Sequence, residues 1–400
     1  MPHSDKLFTS SFICACLGNF LLFLGFYMLL PVLPLYLIDT FNTPKSEIGV
    51  VLALYTVAAL AVRPFSGFLL DMFNRKPVYV LAYAVFILFF VGYPLVQSIL
   101  LFALLRVLHG LSFGVVTTAN NTIIVDIMPA SRRGEGLGYF GIASNLAMAL
   151  GPMLGLILHE HSHSWNVIFY SAVGCGVLGL FFASHIKVPV KERRISEPLS
   201  FDRFFLLNGW RAGLCLLLLG IPYGMATTYL ALYAEELGVS GNMGLFFSLM
   251  ALGLIASRTF AGSLVDKGKT TQVIMAGTLI ALVAFLLFAS LGFFTSTFGP
   301  VLVKLGFFGV AILLGVGYGT LFPAYNSLFV DLAPHNRRAT ASSTYLTSWD
   351  VGIGLGLVFG GNLGEMSGFT LAFFVGALLV MVSVVLFGWM AGPHFHRNKC

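Results

Sequence analysis

Arg63-Pro-Phe-Ser-Gly67-Phe-Leu-Leu-Asp71 returns 195 residues later as Arg258-Thr-Phe-Ala-Gly262-Ser-Leu-Val-Asp266. Each copy closes a long apolar stretch and runs into a short basic turn. A second pair follows at an offset of 205: Gly110-Leu-Ser-Phe-Gly114 with Asn121, Asp126, Pro129 and Arg132-Arg133 matches Gly315-Val-Gly-Tyr-Gly319 with Asn326, Asp331, Pro334 and Arg337-Arg338. Repetition on this scale means that one structural unit occurs twice, an arrangement on which many membrane folds are built. The ten extra residues of the second half fall around the ninth apolar segment and the loop after it.

Working outward, the 400 residues are 58% apolar and 10% charged, with a mean hydropathy of +0.92. No soluble domain of this length has that balance. A helix needs about 20 mostly apolar residues to cross a bilayer, and twelve such spans are expected, at 11–38, 46–70, 77–97, 99–127, 137–158, 166–186, 209–233, 242–265, 272–294, 299–330, 340–361 and 369–391. Period-two alternation is absent, which excludes a β-barrel. The first span runs far beyond the apolar core of a signal peptide and is read as a helix of the fold. The division expected is an N-terminal six-helix bundle over 1–186, a polar cytoplasmic linker over 187–208 and a C-terminal six-helix bundle over 209–400.

The net charge of +6 raises the question of nucleic acid, and the placement of the cations answers against it. Of the 22 Lys and Arg residues, only Lys45 falls in a loop of one side, and Arg63, Arg106, Arg258 and Lys304 fall inside apolar segments. The rest gather on the other side, which the positive-inside rule makes cytoplasmic along with both termini. Five cysteines without ligand spacing suggest neither a disulfide framework nor a zinc site. His159-Glu-His161-Ser-His163 reads as a solvated loop, because adjacent loop residues lack the fixed geometry a metal needs.

Several motifs carry a family resemblance. Gly67-Phe-Leu-Leu-Asp71-Met-Phe-Asn74-Arg75-Lys76 resembles the segment that the major facilitator superfamily carries between its second and third helices, with Asn74 where that family usually has Gly. Leu24-Gly25-Phe-Tyr-Met-Leu-Leu-Pro31-Val-Leu-Pro34 resembles the first-helix signature of the twelve-helix drug:proton antiporter branch. Arg106-Val-Leu-His109-Gly110 is similar to its fourth-helix signature, with His109 in place of the usual Gln. Ala147-Met-Ala-Leu-Gly151-Pro152-Met-Leu-Gly155-Leu156 is close to the fifth-helix signature but lacks its first and last glycines. The resemblance implies an all-α membrane protein, with twelve transmembrane helices in two pseudo-symmetric six-helix bundles. It also implies alternating access of a central cavity, driven by the proton gradient without a cofactor.

Ionisable residues inside a membrane are expensive and face a cavity or a partner. Asp350 is the acidic residue that sits mid-span. It reads either as the proton carrier or as the partner of Arg63, which lies at nearly the same depth on a span that faces it in the fold implied by the resemblance. The repeat-related gate pair is Arg258 with Asn145. Arg106 has no counterpart, since the repeat places Ala311 opposite it, and it is assigned with His109, one turn away, to substrate or proton handling; helix packing is the other reading of both. Gly67, Asp71, Arg75, Lys76, Gly262 and Asp266 form a conformational latch, Gly67 permitting close helix contact. Asn19, Tyr27, Asn120, Asn121, Tyr223, Thr227, Tyr325 and Asn326, together with Arg106, are candidates to line the cavity.

The function expected is proton-coupled export of small amphipathic or drug-like molecules by a monomer in the cell membrane whose partners are substrate, protons and lipid. Proton-coupled transport of a hydrophilic metabolite or metal chelate is the near alternative. A membrane receptor on a transporter scaffold is the distant one. No constellation for catalysis and no ATP-binding loop is present, so an enzyme is not expected.

Overall fold

The computed structural model describes residues 6–129, 132–188, 206–239, 243–333 and 338–398. Every regular element among them is helical: α1 (Ser10–Leu29), α2 (Leu33–Phe41), α3 (Lys45–Met72), α4 (Arg75–Gly92), α5 (Ile99–Ile127), α6 (Arg133–Ser162), α7 (Trp165–Ser184), α8 (Trp210–Glu236), α9 (Met243–Asp266), α10 (Thr270–Phe293), α11 (Thr295–Asp331), α12 (Arg338–Leu386) and α13 (Gly392–Asn398), with short 3₁₀ and π turns.

Thirteen helices make twelve crossings, because α1 and α2 share one, α12 makes two and α13, with 7 residues, makes none. Pro31 has no N–H to continue the ladder, and the chain instead closes i to i−3 turns, Leu30 to Tyr27 at 3.3 Å and Val32 to Leu29 at 3.0 Å. The first span is therefore α1 and α2 in tandem. At the other end, α12 has 49 residues, about 74 Å at 1.5 Å per residue, against a hydrocarbon core of about 30 Å. It turns at Gly368, where φ is 81°, a conformation that glycine adopts without a Cβ penalty. Glu236, at the end of α8, accepts the N–H groups of Phe369 (2.7 Å) and Thr370 (3.0 Å) and the Thr370 hydroxyl (2.8 Å). It thereby caps the orphan donors of the restarted helix.

Packing contacts divide the chain into two compact units, Met1–Val32 with Leu54–Pro198 and Leu33–Ala53 with Leu199–Cys400. In the first, α1 packs on α6 and α7, and α4 packs on α5 and α7. In the second, α12 packs on α8 and α10, α11 packs on α9 and α10, and α2 packs on α8. The start of α3 also belongs to the second unit: the Ser46 N–H donates to Glu365 at 2.7 Å, and Lys45 lies 5.0 Å from the Phe369 ring centre.

The repeat read in the sequence has a structural counterpart inside each unit. A Cβ on Gly110 of α5 would overlap the Tyr55 carbonyl of α3, and one on Gly315 of α11 would overlap the Met250 carbonyl of α9. Gly114 meets Ala59 and Val62, while Gly319 meets Leu254 and Ser257. Adding 195 to the α3 positions and 205 to the α5 positions converts the first set of contacts into the second. Gly110→Val and Gly315→Val are each expected to destabilise the fold by about 1–3 kcal/mol through overpacking against backbone. Thermal denaturation in detergent checks this, and an undisturbed melting temperature in either variant contradicts the shared register.

Within the first unit, α4 and the 3₁₀ turn that follows it present Tyr79, Tyr83, Phe86, Phe90 and Tyr93 inward at steps of four and three residues, all fully buried. Its opposite face carries exposed Leu81 and Leu88, which face lipid in a bilayer. Buried tyrosines join helices by donating to main-chain carbonyls: Tyr83 to Gly18 (3.0 Å), Tyr229 to Leu357 (2.7 Å), Tyr233 to Phe288 (2.6 Å) and Tyr318 to Leu219 (2.9 Å). In a low-dielectric interior such bonds avoid the roughly 1–3 kcal/mol cost of an unsatisfied hydroxyl.

Candidate functional site

Ser98 caps α5 by accepting the Leu101 N–H at 3.3 Å, which sets the phase of the helix. Arg106 and His109, three residues apart, then lie on one face. Both are buried, at 2% and 0% exposure. Tyr93, the last residue of the α4 stripe, joins them: Arg106 Nη1 donates to the Tyr93 hydroxyl at 3.2 Å, and that hydroxyl lies 2.6 Å from His109 Nδ1. A guanidinium has only donors, so the tyrosine oxygen accepts from Arg106, and the same oxygen shares a hydrogen bond with Nδ1 of His109.

The result is a chain of hydrogen bonds linking Arg106, Tyr93 and His109 inside an aromatic box. The imidazole centre lies 4.4 Å from the ring of Phe86, 4.8 Å from Phe90 and 5.2 Å from Tyr55. The Arg106 guanidinium stands over the Tyr55 ring at 4.3 Å, a cation–π contact worth about 2 kcal/mol when desolvated. Nε2 of His109 has no hydrogen-bond partner among the described residues. At the repeat-related position of the second unit, Ala311 is fully buried, so this polar chain belongs to the first unit's architecture alone. Tyr93→Phe removes the shared oxygen and leaves two polar groups short of a partner. A loss of about 1–3 kcal/mol is expected, read as a lower melting temperature, and an unchanged value contradicts the chain.

Among the candidate cavity residues, Asn19 and Asn120 are brought together. Asn120 Nδ2 donates to Asn19 Oδ1 at 2.8 Å and Asn19 Nδ2 donates to Ser144 at 2.6 Å, which ties α1, α5 and α6 into one polar seam. Tyr27 is half-buried and stacks on Phe23, with ring centres 5.9 Å apart. Asn121 and Asn326 are exposed. Thr227 is buried and its hydroxyl is returned to the Tyr223 carbonyl at 2.9 Å. Tyr223 and Tyr325 are buried in the second unit.

Arg63 and Asp350 are half-buried, on α3 in the first unit and on α12 in the second respectively. Arg258, on α9, sits near the hydroxyls of Tyr223 and Tyr345, and Asp350 is in range of Tyr345. The side chains of Asn145, Asp71 and Asp266 lie outside the described residues. Arg75 of the latch forms an ion pair with Asp126, at the far end of α5, while Lys76 is half-buried. No described atom lies within 4 Å of a Cβ built on Gly67 or Gly262. Sequence reasoning missed Tyr93, Tyr55, Ser144 and the role of Asp126.

A sequence profile of the Major Facilitator Superfamily matches residues 15–311 and 285–399. The staphylopine export protein of Staphylococcus aureus is 22% identical over 364 residues, which cover 86% of each chain. The quinolone resistance protein NorA of the same species is 32% identical over 168 residues, 41% of this chain and 42% of its own. Among solved structures, the nucleoside transporter NupG superposes with a TM-score of 0.71 at 17% identity, covering 98% of this chain and all of that one; at that identity the likeness concerns the fold alone.

Proposed function

Because the chain belongs to the Major Facilitator Superfamily, a family of multi-pass membrane transporters, we propose that it is a proton-coupled exporter of small amphipathic or drug-like molecules. The two repeat-related units alternate access to a central cavity, both termini are cytoplasmic, and the working unit is a monomer in the cell membrane. Export is supported by the names of two relatives, an export protein and a resistance protein. The observation that carries proton coupling is the buried Arg106–Tyr93–His109 chain. The hydroxyl joins an imidazole, the side chain best suited to proton exchange near neutrality, to a fixed cation inside the membrane. In this reading Asp350 provides a second titrating group in the other unit, and no cofactor takes part.

Transport of a hydrophilic metabolite is the second reading. Arg106, a buried cation with a planar fork of donors, favours it, since that fork suits a carboxylate. Purified protein in liposomes with an imposed pH gradient tests the first reading: ethidium or fluorescein is expected to accumulate on the acidic side and to redistribute when a protonophore is added. Gradient-independent equilibration of both dyes would sink proton coupling.

A further inference from the structure

A second polar group in the membrane interior is absorbed by nothing above. In the second unit, Tyr223 of α8 packs against Tyr318 of α11, with ring centres 4.7 Å apart, and against Trp349 of α12 at 4.9 Å. Phe322 closes on Trp349 at 4.9 Å. These rings form an aromatic shelf. Unlike Tyr229, Tyr233 and Tyr318, which donate to main-chain carbonyls, Tyr223 is 3% exposed and its hydroxyl has no partner among the described residues.

Beside it stands Arg258, near enough for the Tyr223 and Tyr345 hydroxyls to feel its charge. Its Nε and Nη2 are buried and have no hydrogen-bond partner among the described residues. Those two nitrogens are the pair whose N–H bonds run parallel along one edge of the guanidinium, the edge that meets both oxygens of a carboxylate. Leaving a charged edge and a phenol unsatisfied in a desolvated interior is costly, and a ligand that supplies two acceptor oxygens relieves it.

We propose that Arg258, Tyr223 and the Trp349–Phe322 shelf form a binding site for an aromatic carboxylate, Arg258 offering its Nε–Nη2 edge to the carboxylate oxygens and Tyr223 donating its hydroxyl. This rests on the transport reading above and names the substrate class it leaves open, an amphipathic aromatic monoanion. The shelf holds the ring by stacking, and the charge preference comes from the arginine edge.

Trp349 is one of four tryptophans, so replacing Trp165, Trp210 and Trp389 by Phe makes its emission a local reporter in the full chain in lipid nanodiscs. The probes are 4-nitrobenzoate and its neutral counterpart 4-nitrobenzamide, both contact quenchers. Saturable quenching by the benzoate is expected at concentrations at least about tenfold below those the amide requires, as a charge-assisted bidentate pair implies. In Arg258→Gln the benzoate is expected to lose that advantage, in Arg258→Lys to regain part of it, and in Tyr223→Phe to weaken severalfold; the amide is expected to bind all forms alike. Equal affinity for the two probes in the parent protein, which needs no variant to fold, overturns the proposal, as does undiminished benzoate binding to Arg258→Gln. Gradient-driven dye transport by a protein that shows no benzoate preference removes this site and leaves the transport reading standing. Benzoate binding by a protein that transports nothing does the reverse.

Discussion

Arg106→Gln is expected to abolish gradient-driven transport, with the initial rate falling about 100-fold or more while the protein still folds. The substitution removes a charge-assisted hydrogen bond, worth about 1.5–3 kcal/mol, and a desolvated cation–π contact of about 2 kcal/mol. At about 1.4 kcal/mol per factor of ten, their loss from the state that moves the proton accounts for that drop. Folding is less affected, because Gln fills much of the space and still offers a donor to Tyr93. Arg106→Lys retains the charge but not the planar fork, and is expected to recover only part of the rate. Dye transport in liposomes under an imposed pH gradient, normalised to folded protein, measures both. If Arg106 only packs helices, the melting temperature falls and the rate per folded molecule does not; that outcome refutes its part in coupling.

Asp350→Asn is expected to have the next largest effect. The change is nearly isosteric, so packing on α12 is kept while the titrating charge goes. Gradient-driven transport should fall at least about tenfold, and its dependence on pH should flatten, since an amide does not exchange a proton. Downhill exchange of dye, with no gradient imposed, should persist. This split separates a coupling role from a structural one, because a merely structural carboxylate would take both activities down together. Wild-type transport with wild-type pH dependence in this variant excludes Asp350 from coupling.

Much of the frame was legible before any coordinates. The two offsets, 195 and 205, place Gly110 on Tyr55 and Gly315 on Met250 with no adjustment, because the glycines that let helices approach are themselves part of the repeated motifs. Arg106 and His109 were legible for a similar reason, since polar groups stand out against an apolar chain. Tyr93 was not. In a soluble helix, a buried stripe is betrayed by the polar residues opposite it, but the back of α4 faces lipid and carries Leu81 and Leu88. Hydropathy is then the same on both sides, and Tyr93 is ordinary for either.

Two further features escaped for reasons of the same kind. Residues 33–53 pack with the second unit, yet that boundary runs through the middle of an apolar span where composition does not change. Arg75 reads from the sequence as part of the latch, and its partner Asp126 lies 51 positions away, at a helix end that only the fold brings near. The repeat also showed where to look: Arg106 against a buried Ala311 is where the two units differ in chemistry, and the hydrogen-bond chain lies there.

The central claim is that transport moves protons through the first unit's Arg106–Tyr93–His109 chain. The most direct measurement traps the pH indicator pyranine inside liposomes and adds to the outside whichever dye, ethidium or fluorescein, is carried faster. The account predicts a change of internal pH that starts with dye entry, runs in the opposite direction to it and is absent for Arg106→Gln. Dye entry at full rate with no change of internal pH would contradict it.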